Sequence, residues 1–168
     1  MAKHVHTALV TFCRLAAGLS FAVLILAVLV QVLGRSVFAS SPVWTEELTR
    51  FALLYLAAFA AGLSYRSGDL VNVDIICESL PGRLPVILRF VSALATAALC
   101  AALVLPAWHF TVIGNLQTSP ALGWKMSFIH ASVLVLLVLL LVFALLRAVA
   151  MLRGASDGRP VADLETPQ

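Results

Sequence analysis

WTEELTRFALLYLAAFAAGLSYR, residues 44–66, has the composition of a membrane helix, yet Glu46, Glu47 and Arg50 crowd its first two turns. Only 15 uncharged residues separate Arg50 from Arg66. At about 1.5 Å per residue they make about 22 Å of helix, short of the hydrocarbon core of about 30 Å that about 20 residues cross. A helix that begins at Ser41 or Pro42 reaches about 24 residues and spans with some tilt. Ser41-Pro42 is a start signal for such a helix, an N-cap serine followed by proline at the first helical position. The three charges then lie inside the helix.

Outward from this segment, the chain has the balance of an integral membrane protein. Of 168 residues, 62% are hydrophobic and 11% charged, against about 45–50% and about 25% in soluble domains, and the mean hydropathy is +1.05. Charge-free intervals at 15–34, 90–124 and 126–146 are each long enough to cross a bilayer. Together these features predict an all-α membrane fold of four helices, at about 13–38, 42–65, 86–113 and 124–149, within a membrane domain over 1–153. Residues 154–168, GASDGRPVADLETPQ, lose hydrophobicity and read as a disordered cytoplasmic tail.

The cations orient the helices. Lys3, Arg14, Arg66, Arg83, Arg89, Arg147, Arg153 and Arg159 fall on one side, against Arg35 and Lys125 on the other, so both termini are expected to be cytoplasmic. An N-terminal signal peptide is disfavoured, because the first apolar run exceeds an h-region of about 7–15 residues. The formal charge of +3 is explained by this topology and by anionic lipid, without nucleic acid.

Between helices 2 and 3, Leu70, Val73, Ile76, Cys77 and Leu80 share a helical stripe, which predicts a short helix along the cytoplasmic interface. The outer loop before helix 4 is polar and rich in Gly and Pro, with Trp108 and Trp124 as interfacial aromatics. Pro106 is expected to bend helix 3. Cys13, Cys77 and Cys100 have no metal spacing and read as small apolar fillers.

On a helical wheel with Glu46 at 0°, Glu47 falls at about 100° and Arg50 at about 40°, so the cation sits between the two anions in a favourable order. Near a helix N-terminus the macrodipole also favours the carboxylates. Ala57, Ala61 and Ser64 continue the same face as a small-residue stripe, the pattern of close helix approach. Charges within spans usually face protein or water, so this face is expected to dock on another helix, of this chain or of a partner. Gln31, a polar amide deep in helix 1, is a candidate to pair with it.

These features resemble the small membrane subunit of the tripartite ATP-independent periplasmic (TRAP) transporters, the DctQ-like family. The resemblance rests on Trp44-Thr45-Glu46-Glu47 with Arg50, then Arg66-Ser67-Gly68 and Val71-Asn72-Val73-Asp74, and on Gln117-Thr118-Ser119-Pro120-Ala121-Leu122 ahead of Trp124. It covers most of 15–149. Leu70 stands where members often carry histidine, and no further proline follows Pro120 before Trp124.

The resemblance implies a multi-pass protein of the bacterial inner membrane. Its partners would be a large DctM-like membrane subunit, which moves as an elevator, and a DctP-like periplasmic binding protein that delivers an organic anion such as a carboxylate. Uptake would be driven by an ion gradient. Glu46, Glu47 and Arg50 would then orient and dock helix 2, with Ala57 and Ala61 below them and Trp44 anchoring the outer interface. Arg66, Gly68 and Asp74 would shape the cytoplasmic turn, Arg66 pairing with Asp74. Gln117, Ser119, Pro120 and Trp124 would meet the periplasmic protein. No catalytic or substrate-binding residues, metal or cofactor are expected, and the chain is not expected to be an enzyme.

Two other classes compete with this reading. His109 and His130, near the outer ends of helices 3 and 4, could ligate haem in an electron-transfer anchor subunit. An independent channel would need a polar face along several helices, and only helix 2 carries one, at one end. A four-helix chain without an inverted repeat or polar midplane site also lacks what a secondary transporter needs to bind substrate itself.

Overall fold

The computed structural model describes residues 2–38, 42–67 and 84–154. These form α1 (Ala2–Phe38), α2 (Val43–Ser67), α3 (Leu84–Ile113) and α4 (Ser127–Leu152), with a 3-10 turn at Gly114–Leu116 after α3. All four helices are long and apolar enough to cross a membrane. Among the described residues the extended pairing is limited to one isolated bridge, Thr118 with Lys125. The interfacial helix expected at 70–80, Gly68, Asp74, Cys77 and the tail from 155 lie outside the described residues.

Several helix boundaries differ from expectation for local reasons. α1 begins at Ala2 rather than near 13, because no proline or glycine breaks the chain ahead of the apolar run. α2 begins at Val43, and Pro42 precedes it as the acceptor of the first-turn Thr45 N–H at 3.1 Å. α4 begins at Ser127 rather than at 124, because 117–126 folds back on itself, Met126 N–H donating to the Gln117 carbonyl at 2.9 Å. At its far end α4 runs to Leu152 and is closed by Gly154 at φ +65°, whose N–H donates to the Met151 carbonyl at 3.0 Å. That positive φ suits glycine at a helix C-terminus. α3 is continuous through Pro106.

The helices lie in the spatial order α1, α2, α4, α3: α2 packs on α1 and on α4, and α3 packs on α4. This is a layer rather than a closed ring, so α1 and α3 are its edges. The edges are apolar and open, with Leu15, Leu19, Leu26 and Leu33 of α1 and Leu94, Leu99 and Leu105 of α3 exposed. Such faces suit hydrocarbon or another membrane chain.

Small residues hold the layer together. Lipid tails are as apolar as leucine, so helices associate through close van der Waals contact rather than through release from water. At the α2–α4 crossing, Gly62 leaves room for the Phe143 ring, which a β-carbon at Gly62 would meet at 3.0 Å. Ala58 beside it is fully buried. From α3, Ala93, Ala97, Cys100 and Ala107 are buried, as are Phe143, Ala144 and Ala148 of α4. Cys13 and Cys100 are buried free thiols.

Candidate functional site

The charged start of α2 lies against the α3–α4 loop. In its first turn, Thr45 is fully buried and its hydroxyl donates to the Pro42 carbonyl at 2.6 Å. Thr49 does the same to the Thr45 carbonyl at 2.7 Å. Around this turn, the 100° step between neighbouring helical positions divides the three charges. Glu46 and Arg50, one turn apart, are exposed, whereas Glu47 is half-buried and faces the loop.

The Glu47 carboxylate accepts three hydrogen bonds from that loop. Oε1 receives the Ala121 N–H at 3.1 Å, and Oε2 receives the Leu122 N–H at 3.0 Å and the Ser119 hydroxyl. Two successive backbone N–H groups and a hydroxyl converging on one anion form a nest, and an ionised carboxylate, an acceptor at both oxygens, matches it.

The loop is shaped to present those donors. Ser119 N–H donates to the Trp124 carbonyl at 2.7 Å, and Gly123 N–H returns to the Ser119 carbonyl at 3.0 Å. Gly123 takes φ +68°, which turns the chain within five residues. Pro120, lacking an N–H, occupies the turn position that contributes no donor to the nest. Leu122 N–H also lies 3.3 Å from the Ser119 hydroxyl oxygen.

Below Glu47, the same face of α2 continues the contact at four-residue spacing. Phe51 packs on Trp124 with ring centroids 6.5 Å apart. One turn further, the Tyr55 hydroxyl donates to the Phe128 carbonyl at 2.6 Å. Phe51 and Tyr55 thus belong to the site, although the sequence reading did not single them out. Their signal was the interval of four from Glu47, which places all three on one helical face.

The other end of the loop is held by a second contact. His130 Nδ1 lies 3.0 Å from the Phe110 carbonyl oxygen, and the two rings stack at 3.8 Å. Gly114 is buried in the same corner, where a β-carbon would lie 2.6 Å from Ser127 N and 2.7 Å from His130 Nδ1. His130 is therefore occupied in joining α3 to α4, while His109 is exposed on α3.

The remaining candidates are dispersed. Trp44, Gln117, Pro120 and Trp124 are exposed at the loop end, and Ser119 is buried beneath the turn. Ala57 is exposed and Ala61 half-buried, while Ala58 and Gly62 are the small residues that α2 buries within this chain. Gln31 is half-buried, and the Glu47 bonds go to the loop instead. Arg66 lies at the opposite end of α2, half-buried, and its Nε makes no hydrogen bond among the described residues. Beside it, Tyr65 lies under the Arg147 guanidinium, 5.7 Å from ring centroid to Cζ.

The helix that carries Trp-Thr-Glu-Glu is thus bonded to the loop that carries Gln-Thr-Ser-Pro-Ala-Leu. Residues 24–154 match the family model for tripartite ATP-independent periplasmic transporters, DctQ component. The chain belongs to the DctQ family. The match runs from the middle of α1 through the end of α4 and includes the whole carboxylate–loop contact. A comparison with curated proteins gives no significant match. DctQ chains are transporter components rather than enzymes, and the four apolar helices agree with a multi-pass membrane protein.

Proposed function

We propose that this DctQ chain braces the large DctM-like subunit of its transporter, and that it helps form the surface met by a DctP-like periplasmic protein carrying an organic anion such as a carboxylate. In this reading both termini are cytoplasmic, the α3–α4 loop is periplasmic, and uptake across the bacterial inner membrane draws on an ion gradient through the large subunit. Residues 1–153 are the working membrane domain and 154–168 a tail.

The observation that carries the reading is the open helical layer. Its edge helices expose continuous apolar faces within the spans, which fits a subunit built to lie against another membrane chain. An apolar cleft of about 650 Å³ opens between α1, α2 and α4, lined among others by Leu19, Val23, Phe51, Tyr55, Phe59 and Trp124. Among the described residues, no cationic side chain lines it. Its two hydroxyls, Ser20 and Tyr55, already donate to backbone carbonyls at 2.8 and 2.6 Å. An organic anion would find little there to hold it, which supports assigning substrate recognition to the partners.

Trp44, Glu46, Arg50 and the Ala57–Ala61 stripe are assigned to docking, and Gln117, Pro120 and Trp124 to the periplasmic contact. Arg66, Gly68 and Asp74 are assigned to the turn after α2. The test is to tag the C-terminus, extract the chain from its native membrane in mild detergent and identify what co-purifies. A large polytopic subunit in near-equal amount is the expected result, followed by loss of substrate uptake in a deletion strain. Recovery of the chain alone would overturn the assignment.

A further inference from the structure

Glu46, Glu47 and Arg50 read in the sequence as one docking set, but the structure gives Glu47 a different occupation. We infer that Glu47 is a positioning residue, whose carboxylate holds the α3–α4 loop in the conformation that its partner meets, while Glu46 and Arg50 remain free to face that partner. The inference rests on the proposed periplasmic contact of this loop.

The geometry carries it in three steps. First, Glu47 and its donors are more than 70 residues apart in sequence, so the contact ties two elements that have no local reason to stay together. Second, the bonds go to the backbone N–H groups of Ala121 and Leu122 and to the Ser119 hydroxyl, so they set the path of the turn rather than the rotamer of one side chain. Third, the tied turn belongs to a loop that exposes Gln117, Pro120 and Trp124, and Glu47 shares the first turns of α2 with exposed Glu46 and Arg50. Holding the turn therefore fixes the loop tip and the helix charges as one preformed surface, and preorganisation of this kind favours association by removing an ordering cost.

The chemistry of the acceptor makes the role specific. Glutamine at this position keeps one carbonyl oxygen and turns the other atom into a donor. If its oxygen stays with Leu122 and Ser119, its NH2 opposes the Ala121 N–H. Alanine removes all three bonds, whereas Ser119→Ala removes the hydroxyl and leaves both backbone bonds.

The test uses the assembled transporter with Glu47→Gln, Glu47→Ala, Ser119→Ala and, as a control, Glu46→Gln. Amide hydrogen exchange over 117–126 reads the loop, the yield of large subunit reads assembly, and uptake is titrated with the substrate-loaded periplasmic protein. Exchange at Ala121 and Leu122 is expected to rise about tenfold or more in Glu47→Ala, the scale of a lost charge-assisted hydrogen bond. In Glu47→Gln the rise is expected mainly at Ala121, and Ser119→Ala and Glu46→Gln should leave both amides protected. The periplasmic-protein concentration for half-maximal uptake should rise several-fold in both Glu47 variants, with maximal rate and large-subunit yield unchanged.

Unchanged exchange in Glu47→Ala would overturn the latch. Faster exchange with unaltered uptake would overturn its role in positioning. Loss of the large subunit in step with exchange would make Glu47 a docking residue instead. Failure of the wild-type chain to recover any large subunit would overturn the broader functional reading, and the exchange result would still decide the latch.

Discussion

Gly114→Ala is expected to destabilise the membrane domain by about 1–3 kcal/mol, the usual cost of overpacking a closed site. The added methyl would lie 2.6 Å from Ser127 N, 2.7 Å from His130 Nδ1 and 2.8 Å from Ser127 Cα, whereas ordinary contact begins at 3.4 Å. The start of α4 would have to retreat by 0.8 Å. Two of the three atoms are backbone, and the third belongs to a ring stacked on Phe110 at 3.8 Å with its Nδ1 3.0 Å from the Phe110 carbonyl oxygen. Nothing there can swing aside cheaply.

Gly62→Ala is the matched control. Its methyl would meet the Phe143 ring at 3.0 and 3.1 Å and Leu139 Cβ at 3.3 Å, so a displacement of 0.4 Å suffices and the ring can supply most of it by tilting. Replacing a mid-helix glycine also recovers up to about 1 kcal/mol of helix propensity, which offsets the crowding. Unfolding of both purified variants by SDS titration should show Gly114→Ala clearly weakened and Gly62→Ala within about 1 kcal/mol of wild type. Equal stability of Gly114→Ala and wild type, or the reverse order of the two variants, would refute the packing argument.

Phe143→Ala should lose about 2 kcal/mol, because lipid is as apolar as the core and the main cost is the void, at about 24 cal/mol per Å³; the same SDS titration measures it. Tyr55→Phe, which removes one bond of 2.6 Å, should cost about 0.6 kcal/mol, the average for an interhelical bond in a membrane protein, and a loss far above that would show that Tyr55 does more than join α2 to α4. Glu46→Ala combined with Arg50→Ala should leave the unfolding midpoint unchanged while reducing co-purification of the large subunit, and full recovery of that subunit would remove these exposed charges from the docking face.

Much of the fold was legible because membrane spans are written in local chemistry. Charge-free intervals of sufficient length predicted three helices directly, and the Ser41-Pro42 signal rescued the fourth despite its charges. α1 and α4 were less well bounded at their starts. Hydropathy marks where a chain can enter hydrocarbon, whereas a helix continues until a breaker or a competing set of backbone bonds stops it. At 117–126 the competing set was the loop's own fold-back, anchored by Ser119 to Trp124 and Gln117 to Met126.

The candidate site was legible as residues and not as partners. Both motifs were visible, but the helical wheel grouped Glu46, Glu47 and Arg50 as one face expected to dock on another helix, and it did not link Glu47 to the loop motif. Periodicity reports which residues of one helix share a face; it carries no information about what that face meets. Phe51 and Tyr55 stand four and eight residues after Glu47, and nothing in an aromatic side chain at that spacing distinguishes a loop contact from a lipid-facing or core position.

An all-helical membrane chain with four spans, a charged start to the second, and the motifs of the DctQ family follow from the order of residues, because length, hydropathy and short-range capping are properties of contiguous residues. The fold was needed to show that the helices form a layer in the order α1, α2, α4, α3, that Gly62 and Gly114 sit where an added β-carbon would crowd α4, and that Glu47 holds the α3–α4 loop. An acceptor is satisfied by whichever donors the fold brings within about 3 Å, and here those donors come from residues more than 70 positions away.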